Sequence, residues 1–404
     1  MGKKEQRCLL VVLSCFFCVV LSSGEVFRQQ EEENYTLAVL HEPFAALEHV
    51  NLNMGGEWTE DLNVFFLEVM RCTLDPRALG VLSRTNEARL RLSRDARLMG
   101  ELRWINIGLQ QLHLPVNDQV VHGYGGEMTQ KLRGEMVLAW PRDALSGLRE
   151  RLSSFGAPIL AASDSKIQFL GPNGMRFLVE TDDDEESWIF GSTNGFKLGD
   201  DARDVPMGGP SEGLGIKALR FDVKANTAMR ICDFYETIFH ADVLRQGDFC
   251  SVLIGFRQAL EFRETNVALP LYDGHHIALY VNYASFVDAY HRAQKLVFHN
   301  PRSPQFNFET LEAVLGHDEF RFKDITDLQT GEVLYELEHE IRALSHVGFP
   351  LKHRLPGGLQ ALLIQQENTQ NNVILDTGLF DDNNNNDQPP AFPASPVVLL
   401  GVPK

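Results

Sequence analysis

The feature that most constrains this chain is a pattern that recurs four times along it. A short strand leads into an amphipathic helix with apolar residues near i, i+3, i+4 and i+7, and further short strands follow. The first copy runs from Glu48 to Met54, places Leu62, Phe65, Phe66 and Val69 on one helix face, and closes over Leu102 to Pro115. The second opens at Gly134 to Trp140, continues through Leu145, Leu148 and Leu152, and closes over Phe169 to Glu180 with a tight turn at Asn173 and Gly174. The third opens at Ala218 to Val223, sets Ile231, Phe234, Tyr235 and Ile238 on a helix, and ends on Gln258 to Arg263. The fourth opens at Gly274 to Val281, offers Ser285 and Asp288 as a capping box, and ends on Thr330 to Leu337. One such unit cannot cover its own apolar face, so the copies must pair.

The pattern resembles the vicinal oxygen chelate superfamily, which includes glyoxalase I, extradiol dioxygenases and the bleomycin- and fosfomycin-resistance proteins. The residues that carry the resemblance are the strand from Gly274 to Val281, the helix residues Asp233, Phe234 and Tyr235, and the closing hairpin from Gly171 to Glu180. It covers residues 44–183 and 214–345. The resemblance implies an α+β fold of four βαβββ modules paired into two glyoxalase-like domains, each enclosing one cavity. Pairing consecutive copies gives a first domain at 44–183 and a second at 214–366, the latter ending in a C-terminal strap. One fold of this kind hosts many chemistries, so the substrate stays open.

Flanking segments read differently. Lys3, Lys4 and Arg7 precede an apolar stretch from Cys8 to Ser22, the organisation of a signal peptide over 1–24. The expected destination is the secretory pathway or the exterior. Two alternatives stand beside it: a signal anchor, and a complex plastid reached through the endoplasmic reticulum. A polar leader follows at 25–43 and carries an Asn34-Tyr35-Thr36 glycosylation sequon. Residues 184–213 form an acidic, Gly-rich linker, and 367–404 a polar, Asn- and Pro-rich tail of disordered composition. The tail's last apolar run is too short for a membrane span, so no stable membrane insertion is expected after signal cleavage.

A formal charge of −18, from 55 acidic against 37 basic residues, argues against nucleic acid as a partner. The expected partner is a small-molecule substrate or ligand, and oligomeric state is open. Past the signal peptide, Cys72, Cys232 and Cys250 remain. Their spacing matches neither a zinc site nor a disulfide scaffold. A Cys232–Cys250 bridge is one reading, and buried inert thiols are the preferred one. There is no GxSxG elbow, Walker A sequence, HExxH helix or strand-following GxGxxG. His275 and His276 are adjacent on a strand and so face opposite sides. His339, His346 and His353 read as exposed or locally bonded.

What the resemblance implies for chemistry is a divalent metal (Fe, Mn, Ni, Zn or Mg) held by His, Glu or Gln from four strands, with open positions for two adjacent substrate oxygens. In the first domain the matching positions are His49, Gln111, Glu135 and Leu178 or Glu180, with His113 on the face of Gln111 as a substrate contact. In the second they are Arg220, Glu261, His276 and Glu336, where Arg220 suits a substrate carboxylate or an ion pair with Glu261 or Glu336. If the chemistry is that of a lactoylglutathione-type lyase, Glu180 or Glu336 is the proton-transfer base. A dioxygenase-like reaction is the other enzymatic reading, and a metal-free binding or sequestering protein with degenerate ligand positions is the alternative class.

Overall fold

Each copy of the pattern forms a module of strands backed by a helix. A computed structural model describes residues 43–55, 59–74, 102–108, 110–116, 129–183, 211–255, 257–299, 307–308 and 310–346. The signal peptide, the sequon, linker residues 184–210, His353 and the tail lie outside the described residues. The first module comprises β1 (Phe44–Asn51), α1 (Glu60–Asn63) continued by a π-helical segment (Val64–Val69), β2 (Thr73–Leu74), β3 (Leu102–Ile107) and β4 (Gln110–Pro115). The second comprises β5 (Gly134–Pro141), α2 (Leu145–Phe155), β6 (Ile159–Ala162), β7 (Lys166–Leu170) and β8 (Arg176–Asp182). The third has β9 (Gly215–Lys224), α3 (Ala228–Phe239), β10 (Val243–Gln246), β11 (Phe249–Gly255) and β12 (Gln258–Thr265). The fourth has β13 (His276–Val281), α4 (Tyr283–Ala293), α5 (Leu311–His317), β14 (Glu319–Thr326) and β15 (Val333–Ala343).

The expected α+β class and modular pairing hold, but the partners differ from the expected consecutive ones. One sheet has seven strands in the order β14-β15-β13-β1-β4-β3-β2, joining the fourth module to the first. The other has eight, in the order β10-β11-β12-β9-β5-β8-β7-β6, joining the third to the second. The central seams are antiparallel, β1 with β13 and β5 with β9. Residues 44–183 and 214–366 therefore do not each close on themselves. Strand pairing is decided by contacts distant in sequence, which local periodicity does not report. The fourth module contributes one strand fewer because its second strand is reduced to a single bridge, Val297 with Phe322.

The helix faces are those the spacing predicts. Leu62, Phe65, Phe66 and Val69, then Leu145, Leu148 and Leu152, then Ile231, Phe234, Tyr235 and Ile238, are all buried. At α4 the cap lies earlier than expected: Asn282 accepts from the Ser285 N–H at 2.8 Å, while Asp288 pairs with Arg292 and with His240. Asn173 occupies the left-handed region at φ 61, as its turn requires.

Helix α3 packs on both sheets. Tyr235 tilts against Phe262 of β12 at 5.7 Å, and Phe234 against Phe322 of β14 at the same separation. Burying such a ring contributes about 1.5–3 kcal/mol each, so this seam is apolar in origin and leaves the opposite sheet faces free to carry charge. Buried amides complete the junction: Gln258 Oε1 accepts from the Leu47 N–H, and its Nε2 donates to the Ile216 carbonyl, both at 3.0 Å. Gly255, at φ 148, lies against β1, where an added Cβ would come within 2.8 Å of the Ala45 carbonyl oxygen.

Cys232 of α3 and Cys250 of β11 are joined by a disulfide across a Cα separation of 5.8 Å, against the preferred reading of inert thiols, and Cys72 is free and buried. Among the described residues no helix is long and apolar enough to cross a membrane.

Candidate metal centre

The chemistry-bearing side chains gather on the face of the seven-stranded sheet opposite α4. Local backbone explains the first of them. Ala46 lies opposite Tyr280 but His49 lies opposite Ala278, so β1 carries an extra residue at Glu48. This bulge re-aims the strand and brings both Glu48 and His49 to the same face. On β13, His276 lies opposite Asn51 of β1 and beside Glu338 of β15, while Glu340 lies beside Ala278. Alternation along β15 then puts Glu336, Glu338, Glu340 and Arg342 on one side and His339 and Ile341 on the other.

His49 Nε2 and His276 Nε2 face each other at 3.4 Å. Glu340 Oε2 lies 3.8 Å from the first and 3.5 Å from the second. Together these three offer one ligand atom each within 4.8 Å of one another. A point equidistant from the three atoms lies about 2.1 Å from each, the length of a bond from a first-row divalent metal to imidazole nitrogen or carboxylate oxygen. The residues fit a metal in chemistry as well as in span, since two neutral imidazoles and one carboxylate are a common ligand set for zinc and for non-haem iron. Burial lowers the His49 pKa, which keeps its ring neutral and able to ligate. Burial alone would raise Glu340, yet Arg321 and Arg342 hold its carboxyl well below the usual carboxylate range, with His49 and His276 adding to the effect.

Around this trio lies a buried ion network. Arg321 Nε donates to Glu319 at 3.0 Å and its NH1 to Glu338 at 2.9 Å, and the guanidinium also reaches Glu340 Oε2. Arg342 contacts Glu340 Oε1, Glu48 Oε2 and, at 3.3 Å, Glu319 Oε2. Burial and the neighbouring Glu340 together push Glu319 up. Among the described residues, Glu48, Glu319, Glu338 and Glu340 thus share the guanidiniums of Arg321 and Arg342 on this face.

The structure regroups the residues expected from sequence. His49 and His276, assigned to different domains, meet at one site. Glu340 completes the trio in place of Glu336, whose carboxylate is instead half-exposed and pairs with Lys323. The sequence reading ended the last strand at Leu337, whereas β15 continues to Ala343. Its signal is the charged residue at every second position from Glu336 to Arg342, which reads as a strand with one charged face. Gln111 sits next to His49 in register, but its Nε2 donates to Asn106 at 2.7 Å and its Oε1 lies 3.1 Å from His113 Nε2. His113 is stacked between Trp104 and His49, with ring centroids 4.6 and 3.7 Å away. It therefore presents its face, not a nitrogen, to the ligand ring.

In the eight-stranded sheet the expected ligands form a different arrangement. Glu135, Arg220 and Glu261 lie side by side across β5, β9 and β12. Arg220 Nε donates to Glu261 at 2.7 Å, its NH1 contacts Glu135, and Gln168 donates to the other oxygen of Glu135 at 2.7 Å. Burial works against the Arg220 charge, but Glu261 and Glu135 raise its pKa above the ordinary value. A guanidinium at the centre of this row repels a cation. Gly134, beside Glu135, lets β5 and β9 approach closely, since an added Cβ would clash with the Arg220 carbonyl oxygen at 1.8 Å. Glu180 lies further along the same face, opposite Ala139, and is held between Lys166 at 2.7 Å and Lys217 at 2.8 Å; burial opposes its ionisation, yet the two lysines lower its pKa.

Three further histidines, His275, His339 and His346, lie outside the trio. His275 Nδ1 lies 2.6 Å from Asp273. His339 is buried, its Nδ1 donating to the Leu337 carbonyl at 2.7 Å and its Nε2 accepting from the Tyr235 hydroxyl at 2.6 Å. His346 is largely buried near Glu319.

No family model matches the chain, and no curated protein matches it. Among solved structures, a dioxygenase-like protein from Bacillus subtilis subsp. subtilis str. 168 is 13% identical, with 83% of this chain and 96% of that chain covered at a TM-score of 0.44. Glyoxalase I from Zea mays is 13% identical, with 76% and 96% covered at 0.43. The fosfomycin resistance protein FosX from Listeria monocytogenes is 9% identical, with 35% of this chain and 94% of that chain covered at 0.23.

Proposed function

We propose that the seven-stranded sheet binds one divalent metal through His49, His276 and Glu340, and that the protein is a metal-dependent enzyme acting on a small substrate with two adjacent oxygens. The observation that carries this reading is the convergence of three ligand atoms, from strands β1, β13 and β15, within 4.8 Å. A divalent cation there supplies Lewis acidity toward the substrate oxygens. The chain's own residues orient the site. His49 and His276 direct Nε2 inward, and Arg342 holds Oε1 of Glu340, so that Oε2, which Arg321 also reaches, is the oxygen that faces the two imidazoles. The column of Trp104 and His113 stacked on His49 covers one side of that ligand and restricts water there.

Within this class the oxygenase-like reading is favoured over the lyase. A lyase of this type needs a carboxylate that can leave the metal and carry a proton. Glu180 and Glu336 are both distant partners of lysine, and Glu340 is held by two guanidiniums. With Gln111 engaged by Asn106 and His113, the remaining two-histidine, one-carboxylate set is the type used by non-haem Fe(II) oxygenases. The competing class, a metal-free binding protein, draws support from the same network, because Arg321 and Arg342 already neutralise Glu340.

The test is metal content by mass spectrometry of the purified protein after reconstitution, beside a His49→Ala/His276→Ala variant and a Glu261→Gln control. About one equivalent in wild type and control, absent from the double variant, supports the reading. No metal in any of them overturns it in favour of the binding protein. Oxygen uptake with catechols against isomerisation of glutathione hemithioacetals then separates the two enzymatic readings. Secretion is likewise proposed, supported by the basic and apolar N-terminus and by the Cys232–Cys250 bridge, a bond that persists in oxidising compartments.

A further inference from the structure

We infer that Arg342 and Glu48 are positioning residues for this metal site, acting as one unit on two of its ligands; the inference rests on the metal reading above. Three observations converge. The first is that the bulge in β1 places Glu48 behind His49, with Glu48 Oε2 3.6 Å from His49 Nδ1, while His49 Nε2 faces His276 and Glu340. At this distance the Glu48 carboxylate acts on the imidazole through its charge and not through a hydrogen bond, favouring the tautomer with its proton on Nδ1 and leaving Nε2 free for the metal. The second is that Arg342 contacts this same oxygen of Glu48 and also Oε1 of Glu340. One planar guanidinium thus spans the support of one ligand and the body of another. The third is that Glu340 is directed by this grip: with Oε1 engaged by Arg342, it is Oε2 that lies 3.5 and 3.8 Å from the two imidazole nitrogens.

Arg321 plays a different part. It reaches Oε2 of Glu340, the oxygen proposed to ligate, and it also balances Glu319 and Glu338. Its removal should unbalance charge across the whole face, whereas Arg342 is the side chain that bridges Glu48 to Glu340. Planarity matters here, because a lysine can reach one of the two carboxylates as a point charge but cannot hold both in a fixed geometry. Glu48→Gln keeps an acceptor behind His49 but withdraws the charge.

The experiment is calorimetric titration of Co²⁺ into metal-stripped full-length protein, for wild type, Glu48→Gln, Arg342→Lys, the double variant, and Arg220→Lys as a control in the other sheet. Thermal unfolding in the presence of chelator is measured on each. Loss of such a supporting contact weakens metal binding by about 10–100-fold, and that is the loss expected for each single variant. The double variant should lose much less than the product of the two, because both changes act through one network. The control should bind as wild type does. Variants that stay folded in chelator and bind Co²⁺ as wild type does overturn the inference while leaving the metal reading intact. Independent, multiplying losses overturn the claim that the pair acts as a unit. Failure of the wild type itself to bind Co²⁺ overturns the metal reading, and this inference with it.

Discussion

The two sheets share a plan and differ in what fills its centre. Each joins two modules along an antiparallel seam and gathers carboxylates on the face opposite its helices. In the eight-stranded sheet the centre of that face holds Arg220 between Glu135 and Glu261. In the seven-stranded sheet it holds His49 and His276 beside Glu340, whose two oxygens Arg321 and Arg342 also reach. The difference teaches that this scaffold concentrates negative charge in both places and balances it in two ways. One sheet carries its cation covalently as a guanidinium, and the other sets two imidazoles beside a carboxylate, the trio we propose to hold a metal.

Removing the built-in cation should have the largest effect. Arg220→Met leaves Glu135 and Glu261 buried without a counter-charge, and we expect a loss of about 3–5 kcal/mol by urea denaturation. A loss below about 1 kcal/mol would break the comparison, because the row would then not depend on its guanidinium. Next comes the recruited cation. His276→Ala should weaken metal binding at least about 100-fold, equivalent to about 2.7 kcal/mol, by titration with Co²⁺. The same titration on Glu261→Gln should match wild type. A sharper version exchanges the two solutions: Arg220→His places an imidazole between two carboxylates, and we expect a second, weaker equivalent of Zn²⁺ to bind. Strict retention of one equivalent would show that the second sheet is closed to metals for reasons beyond its arginine.

A further effect concerns acid. Burial, with Arg342 nearby, pushes the pKa of His346 down to about 4 from an ordinary 6.5. Between those values the unfolded chain binds a proton that the folded chain does not, so stability rises with pH through this window. It is fully present above about 6.5 and declines as pH falls toward about 4, by up to about 1.4 kcal/mol per unit. His346→Gln should flatten that slope, and hydrogen exchange should show the seven-stranded sheet loosening before the eight-stranded one. Equal loosening of both would remove acid sensitivity as a distinction between them.

Much of this architecture is legible in the residues. Helix faces such as Ile231, Phe234, Tyr235 and Ile238 are written in local spacing, because a helix repeats every few residues and its buried stripe must follow. His49 and His276 stand out as polar residues in apolar strands, and the Arg220 ion pair follows from its charge beside Glu261. What was not legible is which strands meet. That β1, paired with β4 on one edge, takes β13 on the other depends on the fit of whole modules, so local spacing places the two histidines in separate sites. Glu340 was passed over because a run of charges normally ends a strand, while here Arg321 and Arg342 satisfy those charges within the sheet. Cys232 and Cys250 share a module, which allows a bridge, but the bond itself depends on a Cβ approach set by how α3 packs on β11.

The order of the modules has a consequence for how the molecule is made. The second and third modules are neighbours in the chain and pair with each other, so their sheet can close as soon as both have left the ribosome. The first and fourth enclose them, and the two facing imidazoles are 227 positions apart. β1 can pair early with β4 of its own module, but its other edge must wait until β13 has been synthesised. The inner sheet is complete early and can serve as the surface on which the outer one assembles, through Gln258 and Leu47 among others. The proposed metal site is thus the last part of the structure to come into being, and a chain cut short before β13 would retain its arginine row while lacking half of its histidines.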